Sequence, residues 1–208
     1  MEKSAALGRD DPPLDTDRRA DDATLIARSR ADPEAFAAIF DRHATGIHRY
    51  AARRLGPGPA EDVVGETFLV AFRRRDRYDL SRPDAGPWLF GIATNMISRH
   101  RQAEVRLYRA LARTGVDAAV ESPADEVVAR VAATSQRRAI AAALARLSAA
   151  DRDTVLLVDW AELSYDQAAL ALDVPVGTVR SRLNRARRKI RTALDDIHSA
   201  SSEERSHD

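Results

Sequence analysis

At 208 residues, with 33 basic against 32 acidic side chains and no cysteine, the chain is nearly neutral and has no thiol for a disulfide or a thiolate zinc site. No stretch approaches the ~18 apolar residues of a membrane span. No Gly-rich phosphate loop, nucleophile elbow or His-Glu-x-x-His is present, and His43 and His48 miss the i,i+4 spacing of a helical metal pair, so an enzyme fares poorly and neither metal nor cofactor is expected.

Residues 1–21 mix Asp, Arg, Pro and small residues without apolar periodicity, which predicts a disordered tail lacking a signal-peptide core. A short helix is predicted from Asp22. Asp32 then caps a helix with Pro33 at its first position, and Phe36, Ile39, Phe40, His43, Ile47 and Tyr50 mark one face of it as far as Leu55. Residues 56–60 (GPGPA) predict a turn, and the following helix turns Val64, Phe68, Ala71 and Phe72 inward. Phe36, Phe40, Phe68 and Phe72 are expected in the core, and Trp88 mostly so. A polar loop from Asp76 to Gly86 leads to one long helix starting at Pro87 and running past Arg109.

Residues 114–134 hold Asp117, Glu121, Asp125 and Glu126 against Arg130 alone, which reads as an acidic, flexible linker. A helix over 135–147 follows. Ser148 and Asp151 form a capping box for the next helix, which is expected to bury Val155, Leu156, Val158 and Trp160. Ser164 and Gln167 form a second capping box. Asp173, Val174 and Pro175 then break the chain before a last helix. In that helix Val179, Leu183, Ala186 and Ile190 share one face, while Ser181, Asn184, Arg185 and Arg188 lie opposite and Arg180 and Arg187 flank them. Residues 195–208, acidic and Ser-rich, are expected to fray.

Between Gly177 and Arg191 stand seven Lys or Arg and no acid. Such a run is often only a solvated helix face. Here the capping box, the tight turn and the polar face opposite a clean apolar stripe make a helix-turn-helix, whose second helix suits the major groove and whose charge suits phosphate.

The stretch SYDQAALALDVPVGTVRSRLNRARRKIR resembles the region-4 helix-turn-helix of bacterial RNA polymerase sigma factors of the extracytoplasmic-function (ECF) group of the sigma-70 family. Upstream, AEDVVGETF resembles the Asp-x-x-x-Glu-x-Phe pattern of the family's region 2, and PWLFGIATNMISRHR its Trp-Leu-x-x-Ile-Ala-x-Asn pattern. Gly65 departs from the family, which usually has Gln there; glycine within a helix costs roughly 1 kcal/mol relative to Ala. The resemblance implies an all-α chain of two small helical domains joined by a flexible linker. Region 2 would span 22–113 and region 4 would span 135–194.

The resemblance also implies roles. Asp62 and Glu66 would dock on the clamp helices of the largest subunit of core RNA polymerase, and region 4 on the flap of the second-largest subunit. Asp76, Arg77, Tyr78, Asn95, Arg99 and Arg101 would melt and read the −10 element of promoter DNA. Thr178, Arg180, Ser181, Arg182, Asn184, Arg185, Arg187 and Arg188, with Tyr165 from the scaffold helix, would read the −35 element. Many members are held by an anti-sigma factor, so such a partner is an expectation of the family. The acidic linker either is a plain tether or threads the polymerase channel. The expected place of action is the bacterial cytoplasm, at the nucleoid, without membrane insertion. A stand-alone helix-turn-helix regulator with an N-terminal sensing domain is the alternative, and it would lack the two region-2 patterns.

Overall fold

The computed structural model describes residues 20–114 and 127–204, and every regular element among them is helical. In chain order these are α1 (Asp22–Arg28), α2 (Ala37–Leu55), α3 (Pro57–Arg74), α4 (Gly86–Arg99), α5 (Arg101–Thr114), α6 (Val127–Arg146), α7 (Ala149–Asp159), α8 (Tyr165–Leu172) and α9 (Val176–Glu204), with 3-10 turns at Pro33–Phe36 and Arg75–Arg77. No helix among the described residues is long and apolar enough to cross a membrane. The expectations for 1–19, 115–126 and 205–208 lie outside the described residues.

Helices α1 to α5 form the first module. Leu25, Ile26, Ile39, Ile47, Leu89 and Ile97 are fully buried in its core. Its entry is fixed by Asp22. One carboxylate oxygen accepts from Arg42 at 2.8 Å, and the other accepts from His43 Nε2 at 2.7 Å and from the Ala85 N–H at 2.9 Å. One side chain thereby ties α1 to α2 and to the start of α4. Asp84 also lies close to Asp22 and His43. Because N–H donors already occupy the Asp22 oxygens and a guanidinium adds positive charge, the group is a hydrogen-bonded clasp.

Burial alone would raise the Asp22 carboxyl, but the bonds from His43, Ala85 and Arg42 outweigh it and hold the pKa at about 2, below the ordinary 3.8. A depressed folded-state pKa contributes stability that is present above the unfolded value and is lost as pH falls through the folded one. The thermal stability advantage of the wild type over Asp22→Ala is therefore expected to persist above pH 3.8 and to shrink toward pH 2. An advantage that stays constant down to the lower limit would contradict the clasp.

Three expectations for this module are corrected. The helix expected after a turn at 56–60 starts at Pro57, because Pro57 and Pro59 fall in the first turn, where a missing N–H costs nothing; Gly56, at φ 87°, makes the bend. The single long helix is two helices, broken at His100. There the His100 N–H bonds the Ile97 carbonyl in a tightened last turn, and the His100 carbonyl accepts the Glu104 N–H that opens α5. Phe40 is 45% exposed rather than core, lying edge-on against Phe68 at 4.8 Å.

Helices α6 to α9 form the second module. Helix α6 starts at Val127, inside the segment expected to be linker, and α9 continues to Glu204, past the expected start of the tail. The expected box at Ser164 and Gln167 forms reciprocally, whereas at Ser148 only one half forms: its hydroxyl accepts from the Asp151 N–H, and the Asp151 carboxylate accepts from Arg185 instead. Val155, Leu156 and Leu157 are buried, while Val158 and Trp160 are only partly so. The modules also touch each other, with α8 packed on α4 and α7 against α2 and α5.

Candidate nucleic-acid interface

The turn between α8 and α9 is set by Asp173, which takes the left-handed conformation (φ 52°, ψ 51°) at the end of α8. Asp is among the few residues that adopt it at modest cost. Two residues later Pro175 opens α9, its carbonyl accepting the N–H groups of Thr178 and Val179. Val179, Leu183 and Ala186 are buried and Ile190 partly buried, so the apolar stripe holds α9 onto the module. This fixes which face looks outward. Arg180, Ser181, Asn184, Arg185, Arg187 and Arg188 are exposed, while Thr178 and Arg182 are half-buried.

These side chains are not equivalent. Arg185 donates to Asp151 at 2.9 Å and Arg187 to Asp159 at 2.6 Å, with Tyr165 Oη at 3.5 Å from the latter guanidinium. Those contacts pin both guanidiniums to α7 and α8 while leaving each about half exposed, at 50% and 42%. The Asp159 hydrogen bond also raises the already high pKa of Arg187. Arg180, Arg182 and Arg188 have no acid partner among the described residues. The outward face thus holds two aimed guanidiniums and three free to meet phosphate. The Ser181 hydroxyl instead donates back to the Gly177 carbonyl.

On the first module, Asp76, Arg77, Asn95, Arg99 and Arg101 are all exposed. Asn95 and Arg99 share a face near the end of α4, while Arg101 belongs to α5, beyond the break at His100. Tyr78 does not fit the role expected of it. It is 6% exposed, its hydroxyl donates to the Arg82 carbonyl at 2.7 Å, and its ring packs on Trp88 at 4.9 Å. Burial and neighbouring acids push its hydroxyl pKa up. An aromatic needs an open face to stack a base, so Tyr78 holds the loop and is corrected to a structural residue. Arg82, bonded to Asp79, braces the same loop; sequence reasoning missed it, although Asp79 and Ser81 are typical turn formers.

Asp62 and Glu66 are exposed one turn apart on α3, with Glu66 3.7 Å from Arg99. Between and beyond them lie Gly65 and Leu69, the latter 48% exposed. Phe40, Ala44, Thr45, His48, Glu61, Val64 and Gly65 line an open depression of about 440 Å³ on the α2–α3 surface. A side chain at Gly65 would meet nothing within 4 Å, so no contact within the chain calls for glycine there.

With this geometry in view, the comparisons are consistent with one another. Residues 39–114 match the family description Sigma-70 region 2, and residues 137–190 match Sigma-70, region 4. The chain is 36% identical over 178 residues to the ECF RNA polymerase sigma factor SigL of Mycobacterium tuberculosis, covering 84% of this chain and 97% of that one. It is 31% identical over 175 residues to the ECF RNA polymerase sigma factor SigW of Bacillus subtilis, covering 81% and 93%. In fold it is similar to CnrH, solved with the cytosolic domain of CnrY, with a TM-score of 0.60 at 24% identity, covering 84% of this chain and 97% of that one. It is also similar to the sigma factor RpoE of Bartonella quintana, solved with the anti-sigma factor NepR, with a TM-score of 0.53 at 22% identity, covering 77% and 96%. Each of the two helical modules therefore has its counterpart in one family, in the same order along the chain, and this protein belongs to the extracytoplasmic-function group of the sigma-70 family of RNA polymerase sigma factors.

Proposed function

We propose that the chain works without catalysing a reaction, by presenting separate surfaces to polymerase and to two promoter elements. As a sigma factor it binds core RNA polymerase and promoter DNA and directs promoter-specific initiation; a stand-alone regulator is not favoured. The observation that carries the residue-level reading is the outward face of α9: exposed, free of acids from Thr178 to Arg191, and fixed in direction by its buried stripe. That face reads the −35 element, with Tyr165 on the scaffold helix beside it. Arg185 and Arg187, aimed by α7 and α8, suit base edges; Arg180, Arg182 and Arg188 suit phosphates. The loop after α3, with Asp76 and Arg77, takes the flipped −10 base. Asn95 offers both donor and acceptor to a base edge, and Arg99 and Arg101 meet the strand backbone. The place of action is the bacterial cytoplasm.

Core docking uses the outward face of α3. Asp62 and Glu66 supply negative charge to the clamp helices of the largest subunit, and exposed Leu69 and Phe40 supply apolar area beside them. Region 4 meets the second-largest-subunit flap. The solved relatives in complex with CnrY and with the anti-sigma factor NepR make an anti-sigma factor a natural partner for this chain as well.

The docking reading is tested with Asp62→Arg. Reversing the sign of an exposed docking charge is expected to weaken core binding by about 1–3 kcal/mol, with helix content and thermal midpoint unchanged. Unchanged core affinity in a pull-down titration would remove Asp62 from the interface.

A further inference from the structure

Helix α3 carries a glycine where its own structure asks for none. Gly65 lies in mid-helix, and among the described residues only Gly56 is a glycine with positive φ. Glycine is the poorest helix former after proline, so its presence opposes α3. Close approach is the usual compensation. Gly91 of α4 shows it: a Cβ there would sit 2.5 Å from the Ala171 carbonyl oxygen. At Gly65 a Cβ would meet nothing within 4 Å, so the space beside it is open.

What surrounds that space is largely apolar. It belongs to the depression of about 440 Å³ between α2 and α3, edged by Phe40 and Ala44 on one side and by Val64 on the other. Phe40 is 45% exposed yet held in place, its ring against Phe68 at a centroid distance of 4.8 Å. Leu69, one turn beyond Gly65, is 48% exposed. Of the four large hydrophobic side chains exposed among the described residues, Phe40 and Leu69 flank Gly65, while Leu80 and Leu170 lie elsewhere. A single exposed leucine means little, whereas exposed apolar side chains gathered around a depression mark a contact surface.

The α3 side of the depression is acidic. From Pro57 to Phe72 the helix carries Glu61, Asp62 and Glu66 and no Lys or Arg. Glu61 lines the depression, with His48 on the α2 side. Glu66 lies 3.7 Å from Arg99, but both side chains are more than half exposed, so water screens the pair. This surface fits a basic partner face that presents one bulky apolar side chain. That side chain is desolvated in the depression while charges meet around it, the arrangement of an interface anchor inside a polar rim.

We propose that the depression is a socket: it receives one bulky apolar side chain from a basic surface of core RNA polymerase, and Gly65, by lacking a side chain, sets its depth. The proposal rests on the sigma-factor reading and its α3 docking face, with which the socket is continuous through Asp62 and Glu66. It adds shape to charge. Charge alone attracts any basic surface, whereas a socket accepts only one with a protruding apolar group in register. Glycine gives up helix stability for that fit, so at this position stability and binding change in opposite directions.

The test uses the full chain and core polymerase, with thermal unfolding and a binding titration for each variant. Gly65→Ala is expected to raise the thermal midpoint by about 2–4 °C, because a better helix former enters open space. The same variant should weaken core binding about threefold, and Gly65→Phe, which fills the socket, roughly tenfold or more. Should Gly65→Phe fail to fold, Gly65→Leu fills the same space with a good helix former and carries the test. Gly58→Ala, at a glycine of the same helix outside the depression and also with open space at its Cβ, should leave core affinity unchanged. Wild-type affinity for core in a folded Gly65→Phe or Gly65→Leu chain would overturn the socket, as would an equal loss in Gly58→Ala. A wild-type dimer that Gly65→Phe dissolves would put a second copy in the depression and overturn the assignment to polymerase. If Asp62→Arg weakens core binding and the folded Gly65 variants do not, only the socket falls. If the wild type does not bind core at all, the sigma-factor reading falls.

Discussion

Glu104→Ala is expected to cost about 3–5 kcal/mol, the range for removing one member of a buried charge network. Glu104 is 1% exposed and is the acid shared by Arg54 and Arg152, which are 1% and 2% exposed. Without it Arg54 keeps only the Asp153 carboxylate and Arg152 keeps no acid partner among the described residues, so a buried guanidinium in each module loses its shared counter-charge. Separating the modules would hydrate both, so the loss is expected as opening before unfolding. Denaturation followed by module-specific probes should change from one shared transition to two. Glu104→Gln keeps an acceptor and should cost less. Replacing Arg54, Glu104 and Arg152 together by Met, Leu and Met should be near neutral or stabilising, because it removes the desolvation cost with the attraction. A Glu104→Ala chain with wild-type stability and a single transition would mean that these charges are already hydrated in solution.

Arg185→Ala carries the largest expected loss in promoter recognition, about 1–3 kcal/mol with discrimination between cognate and altered −35 elements reduced. The Asp151 contact fixes its guanidinium while leaving half of it exposed, so little freedom is lost when it meets a base edge. Because Asp151 is buried and would lose a partner, the readout has to separate recognition from folding. Affinity of the polymerase complex for cognate and scrambled −35 sequences does this, since a folding defect lowers both alike. Arg180→Ala, which removes an arginine without an acid partner among the described residues, should weaken both sequences equally and reduce the salt slope by about 1. If Arg185→Ala behaves like Arg180→Ala, Arg185 is a phosphate contact.

What could be read from the residues was what local rules encode. The Ser148 and Ser164 caps, the break at Asp173 and the stripe through Val179, Leu183 and Ala186 depend on neighbours within a few positions, and all formed. The failures were of three kinds. Phe40 and Tyr78 fit their local patterns, but tertiary packing exchanged their exposure: Phe40 lies at the rim of a depression while Tyr78 is covered by Trp88. The break at His100 was hidden because nothing in ISRHRQAEV is a helix breaker. The inter-module network had no local signal at all. Arg54, Glu104, Arg152 and Asp153 stand in charge-rich helices and look solvated, and the sequence separations they bridge run from 48 to 99 residues. Gly91 gave a weak cue, a glycine inside an apolar helix, which marks close approach only when the neighbour is known.

The central claim is that this chain lets core polymerase start at chosen sites. Sigma-free core polymerase, incubated with and without the protein on fragmented DNA from its own genome, settles it when the 5′ ends of the transcripts are sequenced. The account predicts new starts that appear only with the protein, share two upstream sequence elements at a fixed spacing, and vanish with Asp62→Arg. The same set of starts with and without the protein would contradict it.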